Sequence, residues 1–295
     1  MEKIIAVSTS FNPDIQLLEK VIISLREQVS EMIIVDDCSR EEIRQNIKSL
    51  AEKFPNFVTL IFNSENSGIG ISLNKGARLA IEKGADWILT TDDDTIFEKD
   101  TIKTMIDAYN AQNEKDKEKI GLITPNIKDI RSLIWPIDSP ITINENGGIT
   151  GGQMVKTKII PIVGFWNEGL FIEDVDAEFC FRVDDAEFKT LNVPNAVINV
   201  RWGNPKLGKL FKRIIIIPNY PPYRYYYTSR NHFYLYIRNF KKYVNWKRKN
   251  SFIYGIIIPR YLIKALLYED QKCKKIWMAT RGTFDGLRGK MGKLK

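Results

Sequence analysis

Short apolar runs alternate with longer amphipathic segments over the first 125 residues of the chain. The apolar runs predict strands at residues 4–10, 32–35, 58–62, 87–91 and 120–124. The segments between them have helical length and periodicity, and they predict helices at residues 14–28, 40–54, 69–84 and 100–112. Strands that alternate with helices form βαβ units, so the pattern predicts an α/β fold with a mainly parallel sheet flanked by helices.

Polar residues follow four of the predicted strands, at the point where each strand ends. They are Ser10-Phe11-Asn12, Asp36-Asp37-Cys38-Ser39, residues 63–70 and Asp92-Asp93-Asp94. An ordinary turn or helix cap explains any one cluster, and it is the better explanation for Asn12 and Ser39. In parallel sheets, however, ligands bind at the carboxyl ends of the strands, so the shared placement predicts a binding site at this edge.

The three consecutive aspartates are the first candidate for metal chemistry. In an extended segment Asp92 and Asp94 project to one side and Asp93 to the other. Mg²⁺ and Mn²⁺ favour oxygen ligands and are commonly held by one or two carboxylates together with substrate phosphate. The alternative from the residues alone is a solvated acidic turn or the N-cap of a following helix.

The loop Asn66-Ser67-Gly68-Ile69-Gly70 is glycine-rich but lacks the spacing of a dinucleotide fingerprint and the Gly-Lys-Ser/Thr ending of a P-loop. Two interpretations remain. The glycines could let the backbone pack closely against a ligand, or they could mark a flexible helix N-terminus.

The alternation breaks down between residues 126 and 200. Permissive glycines occupy residues 147–152, and a second concentration of acidic residues follows at 164–182. If residues 175–183 are helical, Asp176 lies in the first turn and Glu178 points roughly 160° away, so the two would not share one role. An acid at a helix start can also simply compensate the helix dipole.

Charge divides the chain at about residue 200. Residues 1–200 hold 21 basic and 33 acidic side chains, whereas residues 201–295 hold 23 basic and 3 acidic ones, a net of +20. The second part also interleaves cations with aromatic residues, and its apolar stretches are too short to span a bilayer. This composition predicts a region that seeks a polyanion, which could be nucleic acid or an anionic membrane surface. Membrane association is favoured over a purely structural role as a cap or an oligomer contact.

Three cysteines in 295 residues are too few for a disulfide framework and indicate reduced thiols. The first residues lack the pattern of a secretory signal, so we expect a cytoplasmic protein that lies peripherally on the inner face of the membrane.

With these residues in order, the chain resembles the inverting glycosyltransferases of family 2, which have the GT-A (nucleotide-diphosphosugar transferase) fold. The resemblance covers residues 3–200 and rests on five ordered signatures: Thr9-Ser10-Phe11-Asn12, Val35-Asp36-Asp37-Cys38-Ser39, Asn66 to Gly70 with Asn74 and Gly76, Asp92-Asp93-Asp94, and the Asp176 segment. Within the family the chain is most similar to the bacterial rhamnosyl- and galactofuranosyltransferase branch, through residues 171–178, Tyr225-Tyr226-Tyr227 and Arg230-Asn231.

The resemblance implies a role for each of these positions. Asp176 aligns with the catalytic base, in preference to the more obvious Glu173-Asp174 pair, and Trp166 and Glu178 would contact the acceptor. Asp92 and Asp94 would hold a divalent metal, Mn²⁺ or Mg²⁺. The nucleotide-sugar contacts would be Ser10, Phe11, Asp36, Asp37, Asn66, Gly68, Asp92 and Asp93.

One departure from the branch concerns the metal. The branch usually supplies a further ligand from a His-x-x-Gly segment after the base, but this chain reads Val200-Arg201-Trp202-Gly203 there. Its only histidine, His232, falls elsewhere and is better explained as part of an aromatic cluster. Either the metal affinity is weak or Arg201 offsets the diphosphate charge.

The resemblance thus implies a metal-dependent, inverting glycosyltransferase. It would move a sugar such as galactofuranose or rhamnose from a UDP- or dTDP-sugar to a glycan or lipid-linked acceptor in surface polysaccharide synthesis. We expect a catalytic domain at residues 1–200, with a nucleotide-sugar half at 1–125 and an acceptor half at 126–200, and a basic, helical C-terminal region at 201–295. A homo-oligomer is a further option.

Three alternatives stay open at this point. They are a nucleotidyltransferase, a non-catalytic partner subunit, and a nucleic-acid-binding protein that uses the basic aromatic tail. The acidic edge of the first 200 residues argues against nucleic acid.

Overall fold

The computed structural model of the chain describes residues 2–129, 141–144, 148–201, 206–210, 213–217, 219–238 and 265–294. The chain divides into two units. The first comprises Met1–Glu168 and Asp176–Arg201, and the second comprises Gly169–Val175 and Trp202–Lys295.

A nine-stranded sheet forms the centre of the first unit. Its strands are β1 (Ile4–Ser10), β2 (Glu31–Asp36), β3 (Val58–Phe62), β4 (Trp87–Asp92), β5 (Ile96–Phe97), β6 (Ile120–Asp129), β7 (Thr142–Asn144), β8 (Met154–Lys156) and β9 (Lys189–Val200). The strand order is β3-β2-β1-β4-β8-β6-β9-β5, and β7 also pairs with β9. All five predicted strands are present.

Most of the strand pairing is parallel, as predicted, and it includes the long pairing of β6 with β9, but the sheet also contains short antiparallel pairs. Strands β1 to β4 pair in parallel, as βαβ units require. Strand β8 then inserts between β4 and β6 and runs antiparallel to both, and β5 and β7 run antiparallel to β9. The carboxyl ends of the parallel strands β1 to β4 therefore form the edge at which the sequence predicted a binding site.

Helices lie between and after these strands. In the first unit they are α1 (Ile15–Leu25), α2 (Glu41–Glu52), α3 (Ile69–Glu82), α4 (Thr101–Asn110), α5 (Glu114–Lys119), α6 (Ile160–Val163) and α7 (Val175–Asp185), whose first residue belongs to the second unit. Asp14 caps α1 by accepting the backbone N–H groups of Gln16 and Leu17. The predicted helices are thus all present, with ends a few residues shorter than expected.

The core of this unit forms from the inward faces of α1, α2 and α4 and from the strands. Val21, Ile22 and Leu25 of α1 are fully buried, as are Ile5 and Val7 in β1. The Trp87 ring meets Tyr109 of α4 edge to face at 5.1 Å. Burial of this apolar surface holds the strand ends in fixed register.

The second unit contains a two-stranded antiparallel ribbon, β10 (Lys206–Leu210) and β11 (Arg213–Ile217), and two helices, α8 (Pro222–Arg238) and α9 (Lys272–Leu287). A Cβ atom on Gly282 or Gly286 would collide with the backbone carbonyls of Tyr226 and Arg230, so these glycines let α9 lie directly against α8. Within the described part of the chain, every helix is too short or too polar to cross a bilayer. Residues 239–264, which are part of the basic tail at 201–295, lie outside the described residues.

Candidate active site

Strand register brings the polar clusters to one edge of the sheet. Ser10 pairs with Asp36 across β1 and β2, and Asp92 pairs with Thr9 across β1 and β4. Asp36 in turn pairs with Phe62, which leads into the loop at residues 63–68. The four segments that the sequence placed at the carboxyl ends therefore do meet there.

Asp36 has one carboxylate oxygen held by the protein and one that is not. Its side chain is 1% exposed, and Oδ2 accepts the backbone N–H of Ser39 at 3.0 Å and lies 3.5 Å from Nε of Arg44. Oδ1 is buried and has no hydrogen-bond partner among the described residues. A buried acceptor without a partner is costly, so this oxygen is suited to a ligand donor.

Asn66 and Phe11 are also placed to contact a ligand. Oδ1 of Asn66 is buried and lacks a partner within the described ranges. The Phe11 ring, which directly follows β1, is 52% exposed. An exposed ring beside buried acceptors can stack on a planar ligand while the acceptors bind its edge.

Asp37 organises the neighbouring loop. Its carboxylate accepts the backbone N–H groups of Ser67 at 2.8 Å and Gly68 at 2.7 Å, and the Asn63 side chain at 2.8 Å. Gly68 has φ +96°, a conformation that favours glycine. The loop therefore has a fixed shape, set by a buried carboxylate.

The glycine-rich loop leads into the N-terminus of α3, with Gly68 as the N-cap residue, and its Gly70 packs against the chain itself. A Cβ on Gly70 would lie 2.8 Å from the carbonyl oxygen of Asn167. Nearby, the Asn74 amide accepts the backbone N–H of Trp166 and donates to its carbonyl, both at 2.9 Å. Gly70 and Asn74 thus fix the segment that carries Trp166.

The three aspartates differ in their surroundings. Burial, followed by the neighbouring charge of Asp94, raises the pKa of Asp93 to about 7, although Ser10 and the backbone of Phe11 act in the opposite direction. Burial likewise raises the pKa of Asp94, and the Arg201 charge partly offsets it. Carboxylates whose charge is poorly solvated are positions where a cation binds favourably.

The surroundings of Asp92 fit a small ligand or ion. A Cβ on Gly151 would lie 3.1 Å from both Oδ2 of Asp92 and Oγ1 of Thr95, so glycine leaves space at this point. The Thr95 hydroxyl is buried without a partner in the part of the chain that the structure describes. No cluster of three or more metal-ligating side chains occurs in that part. Two carboxylates suffice where substrate phosphate completes the shell, so Asp92 and Asp94 fit Mg²⁺ or Mn²⁺.

Arg201 comes close to Asp94 through strand pairing. Ile96 of β5 pairs with Asn199 of β9, so the chain before β5, with Asp94, and the chain after β9, with Arg201, leave this strand pair at the same end. The electrostatic effect of Arg201 on Asp94 agrees with this placement. A guanidinium group therefore stands at the acidic edge where the related branch has a histidine.

Asp176 occupies the first turn of α7, as predicted. It is half-buried, and its Oδ1 accepts the backbone N–H of Ala177 at 2.8 Å. Glu178 accepts two hydrogen bonds from Arg182, at 2.8 and 2.9 Å, and is buried. The two carboxylates thus have different partners, in agreement with separate roles.

The predicted acceptor contacts are also packing residues. Trp166 is 2% exposed and stacks on Phe179 with ring centroids 4.5 Å apart. Cys180 follows Phe179 on α7. Burial raises the pKa of the Cys180 thiol to about 12, so this thiol is not a nucleophile. Acceptor contact by Trp166 and Glu178 stays a prediction.

Two features were missed by the sequence analysis. Arg44 lies next to the Asp36 carboxylate, and its guanidinium carbon is 4.8 Å from the centre of the Phe62 ring. The sequence signal for this residue is a basic side chain in the first turn of the helix that follows the second strand. The role of Asn74 in holding Trp166 has no local signal, because the partners are 92 residues apart. Among the residues named earlier, Gly147, Trp202 and Gly203 lie outside the described residues, and His232 lies on α8 beside Phe233 and Tyr236.

Residues 6–116 match the model of glycosyl transferase family 2. The chain is 28% identical over 300 residues to the dTDP-rhamnosyl transferase RfbF of Shigella flexneri, which covers 98% of this chain and 97% of that relative. It is also 46% identical over 77 residues to an uncharacterized glycosyltransferase of Haemophilus influenzae, but this match covers only 25% of this chain and 24% of the other.

Two solved structures resemble the fold. The mannosyltransferase PcManGT from Pyrobaculum calidifontis, in complex with GDP-Man and Mn²⁺, matches with a TM-score of 0.60 and 14% identity over 98% of this chain and 88% of its own. GalNAc-T7 with UDP, GalNAc and Mn²⁺ matches with a TM-score of 0.58 and 12% identity over 90% of this chain, which spans 58% of the GalNAc-T7 chain. The likeness confirms the expected GT-A fold.

Proposed function

The chain is a glycosyltransferase with a family 2 domain, and from this premise we propose that it transfers a deoxyhexose such as rhamnose from a dTDP-sugar donor. The transfer is inverting and depends on a divalent metal. The acceptor is a hydroxyl group of a glycan or lipid-linked sugar in surface polysaccharide synthesis. Residues 1–200 form the catalytic domain in this proposal.

The observation that carries the proposal is the buried Oδ1 of Asp36, which has no partner in the described ranges and lies at the same sheet edge as Asp92 to Asp94. Thymine and uracil each present one N–H donor on the pairing edge, which such an acceptor can bind. Phe11 is exposed next to it and can stack on the base. The nucleoside would therefore lie between β1 and β2, with its phosphates directed towards the aspartates.

Similarity to a relative favours one donor sugar. The relative that matches over nearly the whole chain is named a dTDP-rhamnosyl transferase, which favours rhamnose over galactofuranose. Ser10, Asp37, Asn66 and Gly68 line or shape the nucleotide-sugar pocket through the contacts described above. The pyrimidine-binding edge fits dTDP and UDP alike, so the sugar is the part to be tested.

The chemistry needs charge neutralisation and a base. A divalent ion held by Asp92 and Asp94 would neutralise the charge that develops on the nucleoside diphosphate. Both structural neighbours were solved with Mn²⁺. Asp176 removes the proton of the acceptor hydroxyl, and the oxygen attacks the anomeric carbon from the face opposite the diphosphate. A single base then suffices, and no protein nucleophile is required.

The test is to incubate the purified chain with dTDP-rhamnose, UDP-galactofuranose, UDP-glucose and GDP-mannose, in Mn²⁺, Mg²⁺ or EDTA. Release of nucleoside diphosphate is measured for the wild type, Asp94→Asn and the control Asp100→Asn. Asp100 is an exposed carboxylate with φ +61°, a conformation that asparagine tolerates.

We expect metal-dependent release from dTDP-rhamnose, reduced about 100-fold or more in Asp94→Asn and unchanged in Asp100→Asn. Release from another donor would correct the sugar. Release of pyrophosphate would instead indicate a nucleotidyltransferase. A folded protein that binds no donor, with a lipid-linked acceptor present, would point to a non-catalytic partner subunit.

A further inference from the structure

Helix α9 of the second unit presents two large aromatic side chains to solvent. Trp277 is 58% exposed and Phe284 is 54% exposed, and Leu287 next to the helix end is 48% exposed. Trp277 and Phe284 are seven residues apart, so they lie on the same side of the helix. Exposure of this much apolar surface by one helix marks a contact surface.

The opposite side of α9 already has its partner. Lys275, Ala279, Gly282 and Gly286 are buried, and the two glycines lie against the α8 backbone. By the 3.6-residue period this buried side points roughly 180° from Trp277 and Phe284. The exposed aromatic residues therefore contribute nothing to the packing of α8 on α9.

Cations border the exposed aromatic side. Lys274, Arg281 and Arg288 lie within roughly 60° of Trp277 around the helix. The Arg281 guanidinium is 5.6 Å from the centre of the Trp277 ring. Apolar aromatic residues at the centre with Lys and Arg at the margin are typical of helices that lie in a membrane interface.

Acidic charge is nearly absent from this surface. Residues 265–294 contain seven basic and three acidic side chains. Two of the acids are buried: Glu269, which pairs with Lys275, and Asp285, which accepts the Tyr226 hydroxyl. The third, Asp270, is exposed but precedes α9, so the exposed charges on α9 itself that border Trp277 are positive.

We propose that the outward face of α9, defined by Trp277, Phe284 and Leu287 with Lys274, Arg281 and Arg288, docks on an anionic lipid bilayer. The helix lies parallel to the bilayer plane, with its aromatic side chains at the headgroup level and its cations on anionic headgroups. A second copy of the chain fits this face poorly, because a symmetric contact would bring the two basic margins together. The proposal goes beyond transfer chemistry and gives the predicted membrane association a defined surface.

The experiment is vesicle flotation of the full chain without donor or metal, on phosphatidylcholine vesicles with and without phosphatidylglycerol. The variants are Trp277→Ser/Phe284→Ser, Lys274→Gln/Arg288→Gln and the control Ile23→Ser. Ile23 is 58% exposed on α1 in the first unit, so it matches the apolar change away from α9. All substituted side chains are solvent-exposed, and thermal unfolding checks that each variant folds.

We expect the aromatic variant to lose at least about tenfold in partitioning on both lipid mixtures, because apolar area drives insertion. The charge variant should lose only the increment that phosphatidylglycerol adds, and salt should remove the same increment. The control should bind like the wild type. In addition, brominated lipid should quench part of the wild-type tryptophan fluorescence. The variant Trp277→Phe should still bind vesicles but should lack this quenched part.

Three results would overturn the proposal. One is equal vesicle binding by the aromatic variant and the wild type. Another is a wild type that does not float with anionic vesicles. The third is a wild-type dimer, seen by light scattering, that the aromatic variant converts to a monomer without any vesicle binding, which would assign the face to a second copy. Because no donor is present, failure here is separate from failure of the proposed transferase activity.

Discussion

The carboxylate of Asp37 accepts the backbone N–H of Gly68 at 2.7 Å, across 31 residues of chain. Together with the bonds from Ser67 and Asn63, this contact makes one buried side chain the anchor of the loop that precedes α3. Gly68 is the N-cap residue of α3 and provides no side-chain cap. Asp37, the first residue after β2, therefore supplies an acceptor that the helix start itself lacks.

Replacing Asp37 should destabilise this loop in proportion to the acceptors lost. Asp37→Ala leaves buried N–H groups unpaired, and we expect the free energy of unfolding to fall by about 2–4 kcal/mol. Asp37→Asn keeps one acceptor oxygen and should cost about half as much. Urea denaturation measures both, and equal stability of Asp37→Ala and the wild type would contradict the anchoring role.

Substitution should show that Asp176, and not an adjacent acidic residue, is the catalytic base. Asp176→Asn retains the size of the side chain but removes the base, so kcat should fall by about 10²–10⁴ with KM for the donor nearly unchanged. Steady-state kinetics with donor and acceptor measure both constants.

Asp174→Asn is the matched control. Asp174 has φ +57°, which asparagine tolerates, so this variant should keep its fold and stay within about threefold of wild-type kcat. A large loss in Asp174→Asn with activity retained in Asp176→Asn would transfer the base to Asp174.

The sequence predicted the parallel half of the sheet well because its signals are local. Strands β1 and β3 have the predicted bounds, and α1 begins one residue after the Asp14 cap. Apolar periodicity and capping act within a few residues of chain, so they can be read without the fold. The placement of Asp36 and Asp92 on one edge followed from that alternation alone.

The rest depends on contacts between distant segments. Strand β8 has only three residues, and neither its length nor its position between β4 and β6 has a signature in the sequence. The sequence left open what the glycine-rich loop packs against, and in the structure the backbone of Asn167 lies against Gly70. Which neighbour meets a glycine is decided by tertiary packing, and sequence spacing does not report it.

Asn74 should be needed to hold the Trp166 segment. Asn74→Ala leaves both the N–H and the carbonyl of Trp166 without their partner in a buried position, and we expect a loss of about 2–4 kcal/mol in the free energy of unfolding. The control variant Glu82→Ala alters an exposed residue of the same helix and should cost less than about 1 kcal/mol. Chemical denaturation compares the two, and equal losses would contradict the prediction.

Stability should depend on pH through Glu31 at the start of β2. Burial alone would raise its pKa, but hydrogen bonds from Lys83 and Thr59 and the charges of Lys83 and Lys3 together lower the pKa below its ordinary value of 4.5. A carboxyl with a lowered folded-state pKa stabilises the fold above the unfolded-state pKa, and this contribution is lost as the pH falls through the folded-state pKa.

Glu31→Gln should therefore be less stable than the wild type at pH 7, by about 1 kcal/mol or less for a partly exposed pair, and this difference should shrink as the pH falls below 4.5. Urea denaturation at neutral pH and below pH 4.5 measures the difference. A gap that persists unchanged in acid would show that the Glu31 charge is not its source.

Arg201 should contribute to binding of the leaving nucleoside diphosphate. Its charge acts on Asp94, and a planar cation can bind two phosphate oxygens at once. Arg201→Gln should weaken dTDP binding by about tenfold with Mg²⁺ present, and by more when Mg²⁺ is limiting, because Arg201 then neutralises a larger share of the diphosphate charge. Calorimetric titration at several Mg²⁺ concentrations measures this, with the exposed residue Lys99 changed to Gln as the control for net charge. If both variants weaken binding equally, the effect is one of overall charge, and Arg201 has no specific role at the acidic edge.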